Sequence, residues 1–237
     1  MRGTSPKPEV VIPARYGSKR VPKKNIRLLE GEPVIGHTIR LLQEMNLFSK
    51  IAVSTESEEI AKISREYGAE VNTLRRVELS SDFVSTLSVV QDFLTRDSRS
   101  SETTPIFCVY PFAVFLTREI LSSALSTLHQ VTVDSDAGFV VPFKEYQHPI
   151  QRSFRMNEDN RMIPNSTFSL GSRTQDLEKS YFDSGQFYLA HKKTWLEATS
   201  IFTNVYGLIL DVPMLIDIDS ERDWKLLELF WHLSKSK

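Results

Sequence analysis

In the first half of the chain, short apolar runs alternate between two periods. Residues 9–14, EVVIPA, form a nearly continuous apolar run that stops at a proline and a loop, as a strand buried on both faces does. Between residues 33 and 45, Ile35, Ile39, Leu42 and Met45 recur at helical spacing, and Pro33 suits a first turn. Residues 50–55 read as a second strand, 57–67 as an amphipathic helix closed by Gly68, and 70–74 as a third strand. A helix over 84–93, a strongly apolar strand over 105–110 and a helix over 117–128 with Thr117 as its N-cap follow. Strands that alternate with helices at this spacing predict parallel pairing, because a crossover needs a covering helix.

The second half is less regular. It predicts strands at 137–143, 183–191 and 207–212, and a short helix at 192–199. A last helix is expected over 220–233, where Ser220 and Asp223 resemble a capping box. Residues 149–170 are polar and predict short strands or loops. The expectation is one doubly wound α/β domain over residues 1–237, its sheet mostly parallel, with an excursion near 147–175.

Charge narrows the function. Twenty-nine basic residues face 30 acidic ones, for a net charge of -1, so no general basic surface for nucleic acid is indicated. The single cysteine, Cys108, lies in the apolar run IFCVY. It reads as a buried, inert thiol, with neither disulfide nor cysteine metal site. The five histidines lack ligand-like spacing. No stretch approaches the ~20 apolar residues of a membrane span, and the segment MRGTSPKPE has no apolar signal core. The expected location is the cytoplasm, with no membrane partner.

Against that neutral background, residues 12–25, IPARYGSKRVPKKN, carry Arg15, Lys19, Arg20, Lys23 and Lys24. The loop leaves the carboxyl end of the first strand, where open parallel sheets bind ligands. Its cations, Ser18 and the amides around Gly17 suit phosphate. It follows neither GxxxxGK[ST] nor GxGxxG, and on charge alone a solvated basic loop is an equal alternative. In LIDIDSERDW, residues 215–224, Asp217 and Asp219 alternate with Ile216 and Ile218. In an extended segment both carboxylates share one face and suit Mg²⁺, which often shares its oxygen ligands with substrate phosphates. The alternative is that Asp219 only helps to start the last helix. Residues 173–187, RTQDLEKSYFDSGQF, are rich in donors and acceptors. Gly185 inside that strand marks a close approach by ligand or backbone, unless the segment is simply a surface turn and an edge strand.

The opening motif resembles the signature of the CMP-sialic acid synthetase (acylneuraminate cytidylyltransferase) family, whose members activate nine- and eight-carbon ulosonic acids. LFSKIAVSTESEEIA, LRRVELSSD with Thr86, HPIQRSF, RTQDLEKSYFDSGQFY and IDIDSERDW extend the likeness from about residue 9 to residue 224. HPIQR and RTQD…DSGQFY point to the branch that acts on pseudaminic acid. The resemblance implies a Rossmann-like nucleotidyltransferase fold and a CTP-dependent enzyme. The anomeric hydroxyl of pseudaminic acid or a related nonulosonic acid attacks the α-phosphorus of CTP, giving the CMP-sugar and pyrophosphate. N-acetylneuraminic, legionaminic and 3-deoxy-octulosonic acids are the alternative acceptors, and a catalytically inactive nucleotide-binding homologue is the alternative of another class. Matched position by position, Arg15, Lys19 and Lys24 hold the phosphates and carry catalysis, with Ala14, Ser18 and Asn25 beside them. Arg75 and Asp82 complete the nucleotide site, and Asp217 and Asp219 bind Mg²⁺. Gln151, Arg152, Arg173, Gln175 and Gln186 face the sugar. The resemblance also implies a homodimer, with the excursion and its apolar residues Ile150, Phe154, Met156, Met162 and Ile163 at the interface. The chain departs from the pattern at Tyr16, usually glycine, Phe112, usually threonine, Val114, usually proline, and Phe182, usually histidine. These departures bear on which sugar is accepted and on activity itself.

Overall fold

In the computed structural model, which describes residues 6–133, 138–165 and 171–235, the first apolar run is β1 (Glu9–Pro13). After it come α1 (Val34–Glu44), β2 (Lys50–Ser54), α2 (Glu58–Glu66), α3 (Thr86–Arg96), β3 (Pro105–Val109) and α4 (Arg118–Val133). The second half adds β4 (Phe139–Glu145), β5 (Phe154–Met156), β6 (Met162–Pro164), β7 (Tyr181–Asp183), β8 (Phe187–His191), α5 (Lys192–Glu197), β9 (Val205–Ile209) and α6 (Glu221–Lys235). The main sheet runs β9-β4-β8-β3-β1-β2, with β7 also on β4. β1 pairs in parallel with β2 and β3, and β9 in parallel with β4. β8 is inserted antiparallel between β3 and β4. The sheet is therefore mixed and mostly parallel.

Alternation along β1 divides the core in two. Val10 and Ile12 pack with Ile35 and Ile39 of α1, Ile60 of α2 and Leu121 of α4. Val11 faces the other way, toward Leu87 and Leu94 of α3 and Trp195 of α5. Both faces are thus covered, as a mostly parallel sheet requires. A third cluster joins Trp224 and Leu227 of α6 to Val21, Phe112, Val114 and Ile218. It ties the basic loop and the aspartate segment to one apolar base.

Local chemistry sets the helix ends. The Ser57 and Ser85 hydroxyls cap α2 and α3. Gly68 closes α2 at φ +86°, with its amide donating to the Arg65 carbonyl at 2.9 Å, a left-handed closure that favours glycine. The Ser220 amide donates to the Asp223 carboxylate at 2.8 Å, and the Asp223 amide donates back to the Ser220 hydroxyl at 3.3 Å. That is the reciprocal capping box at the start of α6.

Two predicted strands change. Residues 70–74 form only a single bridge, Ala52 to Glu70. Beyond it the backbone swings so that the Arg75 amide meets the Thr55 carbonyl at 2.7 Å. The expected strand 183–191 is two strands, broken at Gly185, where φ is +63°. Before the break β7 pairs with β4, Phe143 opposite Asp183; after it β8 crosses the sheet centre. Residue 137, the start of the strand predicted over 137–143, and residues 166–170 of the excursion lie outside the described residues. Within the excursion, β5 and β6 form a small antiparallel hairpin of their own. No helix of the described residues is long and apolar enough to cross a membrane.

Candidate active site

The carboxyl ends of β1 and β2 open into a cavity of about 210 Å³, lined in part by Arg15, Lys24, Asn25, Arg75, Asp82 and Phe112. Its frame is rigid. Ala14 is fully buried and its amide donates to the Ser54 carbonyl at 2.9 Å. Val21 is fully buried in the third cluster and pins the middle of the basic loop. Asn25 is buried, and its amide nitrogen donates to the Arg15 carbonyl at 2.8 Å, which closes the loop on itself. Arg75 is buried and fixed by Glu56 at 2.7 Å. Glu56 also accepts the Tyr16 amide at 2.7 Å. Ser18 is half-buried in the same loop.

Four cations of the basic loop, of which Arg15 and Lys24 line the cavity, each meet an anion or carbonyl from elsewhere. Arg15 and Lys19 share the carboxylate of Asp82, Lys19 at 2.8 Å. Arg20 reaches Asp219 at 2.7 Å across 199 positions of sequence. The Lys24 ammonium donates to the Ile218 carbonyl, lies 4.0 Å from Asp219 and sits 4.7 Å above the centre of the Phe112 ring. Burial lowers the Lys24 pKa, opposed by Asp217 and Asp219. The mirror effect acts on Asp217. The residue is exposed, yet desolvation, and then the neighbouring Asp219 charge, push its carboxyl up to about 6. Gly185 explains how Asp217 fits. A Cβ there would lie 2.8 Å from the Asp217 Cγ, so the glycine admits the carboxylate as well as the φ.

The sugar-side candidates divide. Gln186 is buried against the aspartate segment, donating to the Ile216 and Ser184 carbonyls at 3.0 Å each. Gln151 instead joins the excursion to the segment before β7, and Arg152 ties the two ends of the excursion together. Gln151 donates to the Glu178 carbonyl at 2.8 Å, and Arg152 to the Thr174 hydroxyl at 3.0 Å and the Ser172 carbonyl. The Gln151 Oε1 and the Arg152 Nε are buried without a protein partner among the described residues. Arg173 and Gln175 are exposed on the same segment. Among the described residues, no hydrogen bond links these four to the cavity group.

Some of the site escapes a sequence pattern. Glu56 follows the carboxyl end of β2, and the strand-end rule alone marks it. Asp183 accepts the Tyr188 hydroxyl and the Gly185 amide, the latter at 2.9 Å, and adds to the negative field at Asp217. Tyr110 stacks on Phe112 with ring centres 5.7 Å apart, and its hydroxyl lies 2.8 Å from that of Thr86. The Asp183–Gly185 turn is local, but nothing local in the sequence points to the Asp183–Tyr188 or Thr86–Tyr110 pairing.

Cations of a basic loop and a buried arginine line one cavity, an aspartate pair acts on Lys24 beside it, and this grouping suits a nucleotide and its phosphates. Comparison with known proteins bears on which chemistry this is. The pattern of a family described as cytidylyltransferase matches residues 10–198. The chain belongs to this family. Pseudaminic acid cytidylyltransferase of Campylobacter jejuni is 32% identical over 228 residues, covering 94% of this chain and 96% of that protein. The CMP-N,N'-diacetyllegionaminic acid synthase of Legionella pneumophila is 30% identical over 234 residues, covering 95% and 96%. Among solved structures, a CMP:2-keto-3-deoxy-manno-octonic acid synthetase complexed with CTP superposes with a TM-score of 0.68. It covers 97% of this chain and 100% of that one at 12% identity, a likeness of fold.

Within this cytidylyltransferase the four departures occupy different places. Tyr16 is half-exposed, with the Lys23 ammonium 5.1 Å above its ring. Phe182 is exposed and packs on Tyr146 with ring centres 4.9 Å apart. Val114 belongs to the apolar base. Phe112 alone of the four lines the cavity. The aspartate pair fits a divalent ion in donor type, because Mg²⁺ takes hard oxygen ligands and a desolvated carboxylate beside a second one is stabilised by a cation. Among the described residues, no group of three or more His, Cys, Asp or Glu is placed to hold a metal ion.

Proposed function

We propose that this enzyme transfers CMP from CTP to the anomeric hydroxyl of pseudaminic acid, or a close nonulosonic relative, with release of pyrophosphate. The observation that supports this reading is that Arg15, Lys24, Asn25, Arg75 and Asp82 line one cavity at the strand ends, with Lys19 on Asp82 and Asp219 4.0 Å from Lys24. The names borne by relatives that share most of the chain support the acceptor class.

In this reading Arg15, Lys19 and Lys24 bind the triphosphate and neutralise charge as the α-phosphorus is attacked. Ser18 and the loop amides add hydrogen bonds. Arg75, Asn25 and Ala14 shape the nucleoside end of the cavity, and Asp82 positions two of the cations. Asp217 and Asp219 hold Mg²⁺, which when bound neutralises phosphate oxygens and the leaving pyrophosphate. Gln186 braces the aspartate segment from the sugar side. Gln151, Arg152, Arg173 and Gln175 present donors to the acid, where an arginine pairs with its carboxylate. The excursion is the dimer contact. Phe154 and Met156 of β5 are 46% and 64% exposed, and a second copy covering them forms a homodimer. A monomer in light scattering at micromolar concentration contradicts that assembly. Both substrates are charged and water-soluble, and the reaction is assigned to the cytoplasm.

The test is pyrophosphate release from CTP with Mg²⁺ against a panel of pseudaminic, legionaminic, N-acetylneuraminic and 3-deoxy-octulosonic acids. The expected result is turnover with pseudaminic acid at the highest kcat/KM. Turnover of another acid alone replaces the acceptor, and CTP binding without turnover of any acid overturns the reaction.

A further inference from the structure

Asp82 lies in the turn before α3, 67 positions from Arg15, and places one carboxylate between two cations of the basic loop. One oxygen accepts from the Arg15 guanidinium and the other from the Lys19 ammonium at 2.8 Å. Two oxygens facing two cations reproduce what a phosphate offers. We propose that Asp82 is an internal stand-in for the nucleotide's phosphates: it holds Arg15 and Lys19 in the free enzyme, yields them to the phosphates, and retakes them as pyrophosphate departs. The inference rests on the reading of this cavity as the CTP site.

The contrast with Arg75 separates exchangeable from permanent pairs. Arg75 is 2% exposed in its side chain. Besides Glu56, it meets the Ser80 hydroxyl and the Ser54 carbonyl, and Glu56 is itself held by the Tyr16 amide. That pair is built into the frame. The Lys19 side chain is 87% exposed and that of Asp82 35%, and exposed ion pairs are weak and exchange readily with solvent and ligands. Among the described residues, the two cations are the only hydrogen-bonding partners of Asp82. Arg20 on Asp219 at 2.7 Å is a second exposed pair of the same loop.

Charge drives the exchange in both directions. Without an anion, Arg15, Lys19, Lys24 and Arg75 repel one another around the cavity, and Asp82 offsets that. With a triphosphate present, Asp82 becomes a like charge beside the phosphates and is displaced. Pyrophosphate, which keeps much of that charge, would stay bound to the same cations, and the returning carboxylate competes with it. Asp82 thus acts through Arg15 and Lys19 as a positioning residue that sets the affinity for polyanions.

The experiment is calorimetric titration in EDTA of wild type, Asp82→Asn, Asp82→Glu and Glu59→Gln with CTP and with pyrophosphate, paired with pyrophosphate inhibition in the steady state. Asp82→Asn is expected to bind both anions about fivefold tighter, or more, with the inhibition constant falling by the same factor. Asp82→Glu keeps the charge and is expected to bind like wild type. Glu59→Gln removes an equal charge but one paired with Lys23, and should change affinity by less than about twofold. Damage to the fold would weaken binding, so tightening cannot come from that source. Wild type that binds CTP while Asp82→Asn binds equally or more weakly overturns the stand-in. Equal tightening in Glu59→Gln reduces the effect to a general field and also overturns it. If wild type binds no CTP, the nucleotide reading of the cavity fails, and this proposal with it.

Discussion

Asp217 carries the sharpest conflict between stability and function. Its carboxyl is pushed from an ordinary 3.8 up to about 6, so between those values the folded chain binds more protons than the unfolded one. Stability therefore falls as pH rises through that window and stays lower above it. Asp217 is exposed, so only part of the shift counts. Asp217→Asn removes both the desolvated charge and its repulsion with Asp219. In EDTA at pH 7 its melting temperature is expected to rise by about 2 °C, and the gain should vanish by about pH 4, below which wild-type Asp217 is neutral too. Catalysis moves the other way: pyrophosphate release with Mg²⁺ is expected to drop about 100-fold or more. Differential scanning fluorimetry across pH and a pyrophosphate assay check the two halves. A lower melting temperature with unchanged turnover would refute both the electrostatics and the metal role.

At the scale of elements, the break between β7 and β8 does the positioning. Gly185 sits at φ +63°, and an added Cβ would press on Asp217. Gly185→Ala is therefore expected to cost about 1–3 kcal/mol in urea denaturation from backbone strain. It should also raise the Mg²⁺ concentration needed for half-maximal rate, because the carboxylate is pushed aside; strain alone would leave that concentration unchanged. The glycine was legible in the sequence as a close approach inside a strand, but not which atoms come close. The same limit holds elsewhere. The run 9–14, the Gly68 closure and the Ser220–Asp223 box are local patterns, and the structure keeps all three. Residues 70–74 have strand-like composition, yet after one bridge the chain turns to deliver Arg75, a long-range requirement that composition does not carry. The antiparallel direction of β8 is invisible too, because buried strands read alike in either direction. The basic loop was legible as a candidate anion site, but the carboxylates that Arg15 and Arg20 meet lie 67 and 199 positions away. No local window holds that information.

Across the whole molecule, the sheet separates stability from chemistry. The cavity opens at the carboxyl ends of β1 and β2, while a buried ionic cluster closes their opposite ends. There Lys50, at the start of β2, meets Glu9, at the start of β1, and Asp97 at 2.9 Å. Lys192, at the start of α5, donates to the Asp97 and Ser100 carbonyls at 2.8 and 3.1 Å. It can join this end because β8 runs antiparallel and delivers α5 to it. Arg99 first, and then Lys50, hold the Asp97 carboxyl well below the usual carboxylate range against the effect of burial. A carboxylate held low contributes stability that is full above its ordinary pKa near 3.8 and is lost as pH falls through the depressed value. Lys50→Met leaves Glu9 and Asp97 facing each other with one cation fewer, and breaking a buried pair this way costs about 3 kcal/mol. The loss should be constant from pH 7 to pH 5 and shrink below about pH 4, where Asp97 begins to take up protons in the variant first. Because the cluster sits at the far end of the strands, kcat and KM for CTP measured well below the melting temperature should stay within about twofold of wild type. Urea denaturation from pH 7 to 3.5, with initial rates at 25 °C, measures both. A loss that grows toward low pH would contradict the assigned role of Asp97. A fall in kcat without a loss of stability would mean that the two ends of the sheet are coupled after all.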